Sequence, residues 1–177
     1  MLGFLYCFWC GIFTIRFLNY NTMSTSLFDA IRNGEVSNVV SLLKENPALA
    51  QEKDQRGSTP LLLSTYYGHI DIVTVILEQV QDVNTQDASG NTALMGVCFK
   101  GYTAIAALLI ENGAQVNISN FNGATALIFA ATFNKADIAA LLLAKGADKN
   151  AKDDKGNTAF DHAKMQGSAA VLVLLEA

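Results

Sequence analysis

From Asp54 to the last residue, apolar positions fall into short clusters whose order returns every 33 residues. Leu61, Leu94, Leu127 and Phe160 form one series, Ile72, Ile105, Ile138 and Val171 a second, and Ile76, Leu109, Leu142 and Leu175 a third. Within a unit, spacings such as Ile72, Val73, Ile76 and Leu77 trace one face of an α-helix. Two clusters per period predict two helices per unit. A fixed period of this length predicts a stacked array, because a helix pair of this size buries its apolar face only against its neighbours.

The polar positions punctuate the same period. Each unit opens on Asp54, Asp87, Asn120 or Asp153 with a glycine three residues later (Gly57, Gly90, Gly123, Gly156), which is tight-turn chemistry. Thr59, Thr92, Thr125 and Thr158 then stand where a hydroxyl caps a helix start, and Pro60 occupies the first helical position of the first unit. Gly68, Gly101, Asn134 and Gly167 are placed to end that helix in the left-handed conformation. Gly113-Ala114 and Gly146-Ala147 end the second helix. The first unit has Val80 in that place, and a β-branched residue is a poor left-handed cap, so a local difference is expected there.

Residues 24–53 read as a degenerate leading unit, with Gly34 followed by Val39, Leu42 and Leu43. The expected organisation is a capping unit at 24–53, units at 54–86, 87–119 and 120–152, and a C-terminal capping unit at 153–177. The dense apolar run at 171–175 reads as core, with a docking surface as the alternative.

Gly57-Ser58-Thr59-Pro60-Leu61, followed by Gly68-His69, Ile72-Val73 and Ile76-Leu77, resembles the ankyrin repeat signature, and the resemblance covers about residues 26 to 177. It implies an all-α solenoid of stacked antiparallel helix pairs with β-hairpin-like loops. It also implies a non-catalytic function, binding a partner protein in a concave groove between the hairpin tips and the first helices. The family's T-P-L-H histidine is replaced by Leu62, Met95, Ile128 and Asp161, which puts the usual threonine–histidine hydrogen bonds in doubt. Carried onto this sequence by register, the partner-binding positions are Tyr66, Tyr67, Phe99, Lys100, Phe133 and Met165 on the first helices, with Arg56, Asn91 and Phe121 at the tips. Aromatic side chains at positions free of the repeat's structural demands suit an interface core. The alternative is that one aromatic of each set packs between adjacent first helices.

Composition narrows the function further. An apolar fraction of 51% argues against disorder, and a net charge of −4 with no run of Lys or Arg argues against nucleic acid as a partner. His69 reads as a structural hydrogen-bonding residue, His162 lies far in sequence from any candidate thiol or paired acid, and Cys98 reads as a small buried residue. No phosphate-binding glycine loop or metal-ligand cluster is present, so no enzyme, cofactor or metal is expected. The Cys7 and Cys10 pair lies in an apolar run and reads as filler in preference to a zinc or redox site. The sequon Asn117-Ile118-Ser119 would matter only on a secretory route.

Residues 1–22 differ in character, with Arg16 as their sole charge. The segment is short for a membrane span, which needs about 20 apolar residues, and it lacks the leading charge and cleavage site of a secretory signal. Translated sequence upstream of a start at Met23 is the preferred reading. An uncleaved anchor and an atypical signal stay open, so a membrane-tethered scaffold is the alternative to a cytoplasmic, monomeric binding module.

Overall fold

A computed structural model of the chain describes residues 22–24 and 26–176. The apolar segment 1–21, with Cys7, Cys10 and Arg16, lies outside the described residues, and so do the expectations attached to it. Helix α1 covers residues 26–33, and α2 (Val36–Glu45) completes the leading pair before a 3-10 turn, Pro47–Gln51. The repeating pairs are α3 (Pro60–Tyr67) with α4 (Ile70–Leu77), α5 (Ala93–Lys100) with α6 (Thr103–Glu111), α7 (Ala126–Thr132) with α8 (Ala136–Ala144), and α9 (Ala159–Gln166) with α10 (Ala169–Glu176). The described residues contain no strand; an isolated bridge, Ser119 to Thr125, is the trace of β structure in the loops.

Each helix packs on its own partner and on its counterpart in the next unit. The first helices α3, α5, α7 and α9 form one row, and α4, α6, α8 and α10 form a second row behind it. The core runs between the rows. Ile72, Ile105, Ile138 and Val171, and behind them Ile76, Leu109, Leu142 and Leu175, are all buried. Leu61, Leu94 and Leu127 are buried too, whereas Phe160 at the same place on α9 is only partly buried. The run at 171–175 divides in the same way: Val171 and Leu175 are core, and Val173 is 67% exposed. No helix among the described residues is long and apolar enough to cross a membrane.

The caps explain why each helix starts and stops where it does. The hydroxyl oxygens of Thr59, Thr92, Thr125 and Thr158 accept from the backbone N–H of Leu62, Met95, Ile128 and Asp161 at 3.3 to 3.4 Å. Threonine therefore caps without any histidine, a contribution of about 1 kcal/mol per helix. At the other end, Gly68, Gly101, Asn134 and Gly167 all have positive φ; at 52°, Asn134 is the sole non-glycine to do so among the described residues. The second helices of the middle units close with Ala114 N–H donating to Leu109 and Ala147 N–H to Leu142. In the first unit Val80 does not enter the left-handed region; α4 stops at Leu77, and the N–H groups of Gln79 and Val80 both donate to the Ile76 carbonyl.

His69 corrects one expectation. Its buried Nε2 has no hydrogen-bond partner, and the hydroxyls of Ser64 and Thr65 on the same helix pair donate to the carbonyls of Leu61 and Leu62. The ring instead stacks near Tyr67, with centroids 6.0 Å apart, and lies over Gly34 of the preceding unit. Two more junctions are built alike: Tyr102 lies over Gly68, and Lys135 over Gly101. A methyl group on Gly68 would come within 2.7 Å of the Tyr102 ring.

The last unit is held by carboxylates. His162 Nε2 lies 2.8 Å from Asp153 Oδ2. Burial pushes the Asp153 carboxyl up, but the bond to His162, the N–H groups of Asn157 and Lys155, and the charge of His162 together hold it below its ordinary 3.8. The Asp161 carboxyl is lowered chiefly by the Thr158 N–H, then by the Thr158 hydroxyl, against a smaller effect of burial. A carboxylate whose folded value is depressed stabilises above its unfolded value and loses that contribution as pH falls through the folded one. Acid below the ordinary 3.8 should therefore loosen α9 and α10 before the unit that turns on the non-titrating Asn120. Amide hydrogen exchange across an acid titration reads this directly, and equal loosening of the two units contradicts it.

Candidate partner-binding groove

The hairpin tips are built on one pattern. The Oδ1 of Asp54, Asp87, Asn120 and Asp153 each accepts from the N–H groups two and four residues on, which folds the tip around the side chain. Bonds between units align the tips. Phe121 N–H donates to Ser89, Asp154 N–H to Asn122, and Gln86 Nε2 to Ser119, while Asn120 Nδ2 donates to Asn91 Oδ1 at 2.9 Å.

Between this row of tips and the first helices runs a groove of about 1000 Å³, reaching from Phe28 and Arg32 of the leading unit to Phe129 of α7. Of the residues the sequence singled out, Tyr66, Tyr67, Phe99, Arg56 and Asn91 line it. Asn91 is already committed within the tips, since its Nδ2 donates to Asp87 and its Oδ1 accepts from Asn120. Lys100 stands at the rim with its Nζ 4.0 Å above the Tyr66 ring. Phe133 also lies beside the groove, edge-to-face with Phe99 at 4.6 Å. Met165 and Phe121 are 61% and 68% exposed and do not line this space.

These contacts form a diagonal ladder. The residue two before a helix cap meets the residue one before the cap in the next unit, giving Tyr66 with Lys100 and Phe99 with Phe133. Packing between adjacent first helices is thus realised in part. Each such contact contributes about 0.5 to 1.5 kcal/mol, yet Tyr66, Tyr67, Phe99 and Phe133 remain 39 to 46% exposed.

Sequence reasoning missed two parts of the lining. Phe28 and Arg32 come from the leading unit, whose degenerate register hides them; Arg32 bonds to Asp29 at 2.8 Å and lies 3.6 Å from Asp54. The other part is a register: Leu63, Gly96 and Phe129 occupy equivalent places on α3, α5 and α7, and all three line the groove. A glycine inside a helix costs roughly 0.5 to 1 kcal/mol relative to alanine, which was the available signal. A methyl group on Gly96 would meet nothing within 4 Å, so the groove is open above it.

The side chains with chemical potential are occupied elsewhere. Cys98 is fully buried, and burial pushes its thiol far up, which removes the thiolate needed for reactivity. Contrary to the expectation from sequence, His162 does have an acid partner, Asp153 nine residues before it in the turn of the last unit, and that pairing ties the ring down. Among the described residues, no three His, Cys, Asp or Glu side chains come together as metal ligands.

The chain spans about a tenth of the length of the curated relatives it matches. It is 39% identical to human Protein fem-1 homolog C over 62 residues, covering 32% of this chain and 10% of that one. It is 37% identical to zebrafish Protein fem-1 homolog A over 62 residues and 34% identical to Xenopus laevis Protein fem-1 homolog C over 61, with the same coverage. The family profile described as ankyrin repeats (3 copies) matches residues 27–120, 79–153 and 118–177. Arrays of this kind are protein–protein interaction modules and are generally not catalytic. With the profile running from residue 27 to the end and the helix pairs stacked as that profile requires, the chain belongs to the ankyrin repeat family.

Proposed function

We propose that this chain is a non-catalytic binding module that holds a partner protein in its concave groove. Tyr66, Tyr67, Phe99, Lys100 and Phe133 form the centre of the contact, with Arg56, Asn91, Phe121 and Met165 toward its edges. The observation that carries the reading is the half-exposed aromatic row along a concave face. Rings held in place by neighbouring units lose little freedom on binding and offer large area, the properties of residues that dominate interfaces.

Replacing Tyr66, Phe99 and Phe133 together by alanine tests it. Since each ring is already about 40% exposed, helicity should be retained and the melting temperature should fall only modestly. Loss of hot-spot residues costs about 2 kcal/mol or more apiece, so capture of the wild-type partner set from a lysate, read by mass spectrometry, should disappear. Unfolding of the variant would assign the rings to the core, and undiminished capture would move the binding face elsewhere.

A further inference from the structure

Resting on the groove as the binding face, we infer that its occupant is a partner segment that seats a bulky apolar side chain over Gly96 and sets a nearby carboxylate on Arg56. The apolar half follows from the register of the first helices. Leu63 and Phe129 flank Gly96 on α3 and α7, so the row carries a large side chain, none, and a large side chain again. Neighbouring helices lie about 8 to 10 Å apart, so the missing side chain leaves a notch wide enough for an aromatic ring. Phe99, one turn beyond Gly96, adds a further apolar wall.

The acidic half follows from charge. The whole chain carries −4, yet the groove is lined by three cations, Arg32, Lys53 and Arg56, against two carboxylates, Asp54 and Asp87. Both carboxylates accept bonds from the backbone of their own tips. Arg32 is engaged by Asp29 and Asp54, and Lys53 donates to the Gln86 carbonyl. Arg56 is exposed, and its guanidinium has no partner among the described residues. An exposed, uncommitted guanidinium lining the same groove as an apolar notch complements a segment that carries Asp or Glu together with Phe, Tyr, Trp or Leu, and it repels a basic one.

The test is selection of a random peptide library, displayed on phage, against the full chain and against Gly96→Leu, Arg56→Glu and the Tyr66, Phe99 and Phe133 triple alanine variant. Leu63 shows that this helical register accepts leucine, and Arg56 uses only its backbone in the tip, so the first two variants should fold. Enriched peptides should combine a bulky apolar residue with a neighbouring Asp or Glu. Their affinity should fall at least about tenfold on Gly96→Leu, and Arg56→Glu should turn the selected charge from acidic to basic. Peptides without acidic bias, or indifferent to Gly96→Leu, overturn this inference; if the triple alanine variant still loses them, the groove as binding face survives. Peptides that no groove variant weakens overturn both, and a library that yields no enrichment overturns recognition of a short segment here.

Discussion

Gly90→Ala is expected to destabilise the array by about 3 kcal/mol, a large effect for one methyl group. Gly90 has φ of +79°, where a residue with a β-carbon costs roughly 1 to 2 kcal/mol. The added methyl would also lie 2.7 Å from the backbone nitrogen of Phe121 and 2.7 Å from its ring. That nitrogen donates to Ser89 at 3.2 Å, the bond joining the tips of the second and third units, so the backbone cannot retreat without breaking it. Gly156 provides the control. Its φ is +81°, but a methyl there would meet nothing within 4 Å, so Gly156→Ala should show the conformational cost alone. Urea unfolding followed by far-UV circular dichroism separates the two, and equal losses would show that the stacked tips contribute nothing.

Leu109→Ala should cost more, about 3 to 5 kcal/mol, the range for a fully buried leucine whose surroundings cannot collapse. Leu109 is completely buried on α6, between the units that carry Ile76 and Leu142 in the same place. Its position matters as much as its burial. In an array where each unit contacts only its neighbours, weakening a central unit uncouples the two sides. Unfolding should therefore separate into two steps, with α3 and α4 protected from hydrogen exchange differently from α8 and α10. Leu175→Ala, in the last described helix pair, should instead loosen α10 and leave a single main transition. A single sharp transition for Leu109→Ala with little loss of stability would contradict the nearest-neighbour picture.

What could be read in the sequence divides along a physical line. Where every unit solves a problem with the same residue, as the threonine caps, the tip glycines and the aliphatic rows do, comparison between units exposes the solution directly. The left-handed Asn134 could be read for the same reason, because asparagine is the usual substitute for glycine there. Where units solve a problem with different residues, register alone says little. His69, Tyr102 and Lys135 all cover a glycine of the preceding unit, and a ring, a phenol and an alkyl chain share bulk but no chemical signature. The expected hydrogen bond of His69 failed on that account: its surroundings use it as a packing surface. In the groove, Tyr66 and Phe99 could be picked out because nothing in the repeat demanded them. Arg32 and Phe28 could not, since the leading unit departs from the period that made the others comparable. Asn91 was selected for its place at a tip, yet only the geometry reveals that its side chain ties neighbouring tips together.

The covered glycines also bear on how freely such an array can be rearranged. Each junction is a matched pair drawn from two units, His69 on Gly34, Tyr102 on Gly68 and Lys135 on Gly101. Deleting the second unit would bring Lys135 onto Gly68, where a flexible cation would replace a flat ring fitted to that surface. The units are therefore alike in outline but not interchangeable. Every cut between Gly34 and Lys135 separates at least one such pair, so a grafted or shuffled unit keeps its fit only when the side chain laid over the preceding glycine suits its new neighbour.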